Sequence, residues 1–118
     1  MSPILAEVIG TAILILLGNG VVANVVLNKT KGNDSGWIVI TLGWGMAVFT
    51  AVFCMGPFSG AHINPAVTVG LAAAGMFDWA MVGPFIAAQM LGAFIGAVLV
   101  WLSYKDHFAA TEDGGAKL

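Results

Sequence analysis

Three long apolar stretches, residues 3–27, 37–56 and 79–104, are separated by polar, turn-rich segments. About 20 apolar residues cross a hydrocarbon core, so each stretch predicts a membrane-spanning helix. Ser2 and Pro3 form a cap and first-turn signal for the first span, in which Glu7 is the one ionisable residue. That span lacks a basic segment ahead of it and is too long for the apolar part of a cleaved leader, so it does not read as a signal peptide. Residues 28–36 (Asn-Lys-Thr-Lys-Gly-Asn-Asp-Ser-Gly) predict an aqueous loop. Trp37 opens the second span, where an interfacial anchor and a buried ring are equally compatible with the pattern. Before the third span, Asp78 is a candidate N-cap, and Pro84 in its first turns predicts a bend.

Between the second and third spans the pattern breaks. Gly56-Pro57 predicts the end of the second helix, and residues 57–76 read as a re-entrant loop followed by a half-length helix. Asn64 is a preferred N-cap residue, and Pro65 suits the first helical position, where its missing N–H costs nothing. The helix over 66–76 would hold about 11 residues and extend roughly 16 Å. That is about half a bilayer. The loop ahead of it leaves backbone groups unpaired, which hydrocarbon tolerates only where they are buried in protein or line a wet cavity.

Composition agrees with this reading. The 118 residues are 59% hydrophobic and only 8% charged, against about 25% charged in soluble domains. The net charge of −2 suggests neither nucleic acid nor an acidic substrate as partner. Cys54, the one cysteine, lies in an apolar run and is expected to be a packed thiol.

Small residues recur at four-residue spacing: Ala6 and Gly10; Gly43, Ala47 and Ala51; Ala88, Gly92 and Gly96. Such rows let helix backbones approach closely in lipid and predict a packed bundle rather than separate anchors. A carboxylate at position 7 is costly inside a span, about 2.5–3.5 kcal/mol for Asp at a helix centre. It requires donors or an escape to the headgroups. Thr11, Leu14 and Gly18 share its face of the helix, which therefore points at protein, and the unpaired amides of the central loop are the expected donors. His62 has no partner at ligand spacing, so no metal or other cofactor is expected. No catalytic set is present either.

The segment Ser59-Gly60-Ala61-His62-Ile63-Asn64-Pro65-Ala66-Val67-Thr68, with Glu7 upstream and Gly43-Trp44-Gly45 in the second span, resembles the first half of the aquaporin superfamily, the major intrinsic proteins. It is most similar to the glycerol-facilitator, or aquaglyceroporin, branch. The resemblance implies an all-α membrane protein, a right-handed helical bundle made of two inverted repeats. Each repeat has three transmembrane helices and a re-entrant half-helix, and residues 1–104 would be the first. It also implies a passive channel for glycerol, similar small neutral solutes and water that excludes ions and protons. Asn64, Pro65 and Ala66 would be its Asn-Pro-Ala motif. Asn64 would donate to the passing solute, and the carbonyls of Gly60, Ala61 and His62 would form an acceptor ladder. Trp44 would stand at the selectivity constriction, and Glu7 and Gln89 would support the loop. A water-selective channel and a non-conducting assembly module are the alternatives.

Residues 105–118 are polar and are expected to be a linker toward a second repeat. No second Asn-Pro-Ala follows and the chain contains no Arg, the other residue of the family's constriction. The expectation is the first half of a longer protein, with an antiparallel pair of copies as the alternative. A homotetramer in the lipid of the plasma membrane, with a cytoplasmic N-terminus, is the arrangement that the resemblance implies. Three of the four lysines, Lys29, Lys31 and Lys105, favour the opposite orientation on a positive-inside count.

Overall fold

The computed structural model describes all residues, Met1–Leu118, and consists of helices and their connections. Helix α1 (Pro3–Val26) starts at Ser2, whose side chain accepts from the Leu5 N–H at 3.1 Å. Helix α2 spans Trp37–Ser59, α3 is the short helix Pro65–Ala73, and α4 covers Val82–Ser103 after a 3-10 turn at Trp79–Met81. The three long helical segments are apolar enough and long enough to cross a membrane. The molecule is a rod of 47 × 24 × 24 Å, its long axis comfortably more than a hydrocarbon core of about 30 Å.

Helix α1 is the shared partner, with α2 packed on one side and α4 on the other. The small-residue rows explain how closely. A methyl built on Gly92 would lie 2.3 Å from the Val8 carbonyl oxygen, and one on Gly96 would lie 2.7 Å from that of Ala12. Ala6, Ala51, Met55, Ala61 and Ile63 form the main buried cluster, where the inner halves of α1 and α2 meet the central loop. With no hydrophobic force between helices in lipid, this contact surface is what holds them together.

Several boundaries differ from the sequence expectation. Helix α2 runs through Gly56-Pro57 to Ser59 and stops at Gly60, which has φ 81° and donates its N–H to the Gly56 carbonyl at 2.9 Å. A proline presses on the Cβ of the residue before it, and Gly56 has none, so the last turn continues past Pro57. Helix α3 ends at Ala73 rather than Met76. Gly75 adopts φ 77°, its N–H reaches the Ala72 carbonyl, and Met76 N–H reaches that of Leu71, a Schellman closure. Asp78 accepts from Ala80 N–H at 3.0 Å, capping the 3-10 turn. Pro84 sits in the first turn of α4, where its N–H would have had no helical acceptor.

Cys54 is exposed on the outer side of α2, contrary to the packed thiol expected. Trp37 is exposed at the start of α2. The polar tail is more than a linker. It forms α5 (Lys105–Ala110) and α6 (Gly114–Lys117) and returns to the end of α1. Buried Thr111 accepts from the Asn28 N–H at 2.9 Å, and His107 Nδ1 lies 3.1 Å from the Asn28 carbonyl oxygen. Phe108 packs against Ala23, Leu27 and Val100. The 28–36 loop folds back on α1 as well: Gly32 N–H donates to Asn24 Oδ1 at 2.9 Å, and Asn33 Nδ2 donates to the Leu27 carbonyl at 2.8 Å. These bonds supply partners that a helix C-terminus otherwise lacks.

Candidate functional site

Between Gly60 and Asn64 the backbone takes a conformation that ordinary residues avoid. Ala61 has φ 49° and Ile63 φ 47°, and a β-branched side chain in this left-handed region is a genuine outlier. Such residues cost of order 1–3 kcal/mol each and persist only where their surroundings hold them. Here the surroundings are one carboxylate.

Glu7 is completely buried and accepts four hydrogen bonds. Its Oε2 takes the Ser59 hydroxyl at 2.7 Å and the His62 N–H at 3.2 Å. Its Oε1 takes the Ile63 N–H at 2.9 Å and the Gln89 side-chain amide at 2.8 Å. Ser59 Oγ in turn accepts the Ala61 N–H at 3.0 Å. The amides of the irregular segment are thus drawn to one side of the chain. This excludes the snorkelling alternative for Glu7.

A second tier fixes the first. Gln89 Nε2 also donates to Thr68 Oγ1 at 2.9 Å, and the same hydroxyl lies 2.9 Å from His62 Nδ1. Helix α4 is thereby tied to α1, to the loop and to α3 at once. The His62 ring is buried against Phe77 and Phe85, with centroids 4.6 and 5.0 Å away. Thr68 and Phe85 belong to this constellation and were not singled out in the sequence. Their signal was only a hydroxyl one turn beyond the cap and an aromatic one turn before Gln89.

The other side of the loop is open. The carbonyls of Gly60, Ala61 and His62 accept no hydrogen bond from within the chain. Asn64 is exposed, and its Oδ1 accepts the Ala66 N–H at 2.8 Å, capping α3. That leaves its Nδ2 group free to donate outward. Pro65 is the first residue of α3 and Ala66 its second, so the α3 N-terminus, with its partial positive charge, opens beside Asn64.

Trp44 is not part of this network. It lies half-buried on α2 with its six-membered ring resting on Gly18 of α1. The structure therefore brings together Glu7, Gln89, His62 and the loop backbone, and places Trp44 apart from them on the α1–α2 seam. No group of His, Cys, Asp or Glu side chains has metal-site geometry.

Comparison with known proteins gives concordant results. A family model described as "Major intrinsic protein" matches residues 1–117. A probable glycerol uptake facilitator protein of Thermotoga maritima is 60% identical over 118 residues, which are 100% of this chain and 50% of that protein. The glycerol uptake facilitator protein of Bacillus subtilis is 50% identical, matching 100% of this chain and 43% of its own length. Among solved structures, the aquaglyceroporin from Plasmodium falciparum superposes with a TM-score of 0.82 at 36% identity, covering 91% of this chain and 43% of that one. The chain spans about half the length of the curated relatives it matches.

Proposed function

We propose, from the premise that this chain belongs to the major intrinsic protein family, that it is half of a passive membrane channel for glycerol, similar small neutral solutes and water. The observation that carries the reading is the two-sidedness of the central loop. Its amides are consumed by Glu7 while the carbonyls of Gly60, Ala61 and His62 have no partner in the chain. Backbone acceptors at membrane depth that no protein group satisfies must face water or a polar solute. The glycerol facilitators among the relatives support the choice of solute.

A solute hydroxyl replaces water contacts by donating to this ladder and accepting from Asn64 Nδ2. The apolar edge of the solute then lies against an aliphatic wall, and the indole of Trp44 forms the wall of a separate constriction further along the passage. The α3 N-terminus carries roughly half a positive charge, which raises the barrier to cations. A water that accepts from Asn64 is left with its own hydrogens directed away from that point, and a proton relay through it is interrupted. Glu7 and Gln89 never meet the solute in this scheme; they hold the loop.

The second half of the pore is supplied by a second, inverted repeat following residue 118, and the working unit is a homotetramer in the plasma membrane with its N-terminus in the cytoplasm. Stopped-flow light scattering of proteoliposomes tests this. The chain extended by its natural downstream sequence should conduct glycerol, and Asn64→Ala should lower the flux at unchanged assembly. Normal glycerol flux through Asn64→Ala would refute the assigned role. Conduction by the 118-residue chain alone would refute the half-pore reading in favour of an antiparallel pair.

A further inference from the structure

The α1–α2 seam holds a relationship that the loop network does not use. A methyl built on Gly18 would lie 2.5 Å from Trp44 Cε3 and Cζ3 and 2.6 Å from Cη2. All three atoms belong to the six-membered ring of the indole. Ordinary carbon contacts are about 3.5–4.0 Å, so any side chain at position 18 would displace that ring by about 1 Å or more. The two helices also approach closely one residue away from Trp44. A methyl on Gly43, the residue before Trp44, would lie 2.7 Å from Val21 Cγ2. Only side-chain ring atoms of Trp44 crowd position 18, and an indole on two rotatable bonds shifts more readily than two packed helices part, so the ring takes up the crowding.

We infer that Gly18 is a positioning residue for solute selectivity, whose missing side chain provides the recess that holds the Trp44 indole back from the lumen. This rests on the reading of Trp44 as a wall of the pore. Helix α1 covers one part of the ring, which is otherwise half-exposed, and on that reading the uncovered part is the one that meets the solute. A side chain at position 18 drives the ring in that direction and narrows the slot. Glycerol, wider than water, loses passage first.

The test uses the extended protein in proteoliposomes, with glycerol and water permeability measured on each variant. Gly18→Ala should lower glycerol permeability tenfold or more and water permeability less than threefold. Trp44→Phe removes the reaching part of the ring, so adding Gly18→Ala to Trp44→Phe should change either permeability less than twofold. Equal loss of glycerol and water in Gly18→Ala, or the same loss in the Trp44→Phe background, would overturn the inference. Should Gly18→Ala fail to assemble, the double variant decides: recovery of assembly and flux supports the assignment, and failure of both variants refutes it. A glycerol-to-water ratio unchanged by Trp44→Phe alone would instead remove Trp44 from the pore wall, and the role of Gly18 with it.

Discussion

The side-chain amide of Gln89 donates to Glu7 Oε1 across 2.8 Å, joining α4 to α1 between residues 82 positions apart. Glu7 is fully buried, yet every donor it meets is neutral: a hydroxyl, two backbone N–H groups and this amide. Hydrogen bonds to a charged group contribute about 1.5–3 kcal/mol each, more than their neutral counterparts. One carboxylate thereby offsets the strain at Ala61 and Ile63.

Glu7→Gln is accordingly expected to be far from conservative. Each carboxylate oxygen serves two donors, and an amide nitrogen in place of either oxygen would confront at least one backbone N–H. Ser59 can rotate to accept; His62 N–H and Ile63 N–H cannot. A loss of about 2 kcal/mol or more is expected, read as a lower melting temperature in detergent together with reduced glycerol flux. An unchanged melting temperature would contradict the role given to Glu7.

Gly92→Ala adds one methyl where 2.3 Å separates it from the Val8 carbonyl oxygen. Backbone cannot yield as a flexible side chain does, so α1 and α4 must part and the Gln89 bonds stretch. Overpacking of this kind costs about 1–3 kcal/mol. Thermal unfolding should show Gly92→Ala to be markedly less stable than Gly83→Ala, whose added methyl meets nothing within 4 Å in this chain.

Gly60→Ala isolates conformational cost from crowding. Its φ is 81°, while the nearest atoms to an added Cβ are those of His62 at 3.9 Å. The expected penalty is about 1–2 kcal/mol from the left-handed backbone alone. It should appear as a modest drop in melting temperature, and a neutral result would mean that the loop relaxes without effort.

Thr111→Val keeps the shape of a buried side chain and removes the acceptor of the Asn28 N–H. Asn28 is exposed and water can replace the lost acceptor, so the cost should be about 0.5–1.5 kcal/mol locally. Hydrogen exchange at Asn28 is the direct measurement, and it should accelerate in the variant while amides of the Glu7 network exchange as before.

Much of the architecture is legible in the sequence because membrane and cap chemistry leave few choices. Continuous apolar runs of about 20 residues read as spanning helices, because the strands of a membrane barrel are half as long and alternate in polarity. Asn64-Pro65 announces a helix start from local geometry alone, and the structure has α3 beginning there. The burial of Glu7 on the protein-facing side, together with Gly18 and Thr11, is also readable, since an intramembrane carboxylate has to meet donors. Helix ends were less legible. Pro57 looked like a terminator, but the residue before it is a glycine, and the stop lies at Gly60.

By itself, then, the sequence determined the number of spans, the half-helix, the need for a partner to Glu7 and a family resemblance concentrated in residues 59–68. Tertiary structure decided which donors answer Glu7, that Thr68 joins Gln89 to His62, that Cys54 faces outward, and that the tail folds back on Asn28. The physical reason is that lipid makes a membrane helix apolar around its whole circumference, erasing the amphipathic pattern by which a soluble helix reveals its buried face. The Glu7 bonds that fix this loop link residues from 52 to 82 positions apart, and no local pattern in the chain records which of them will meet.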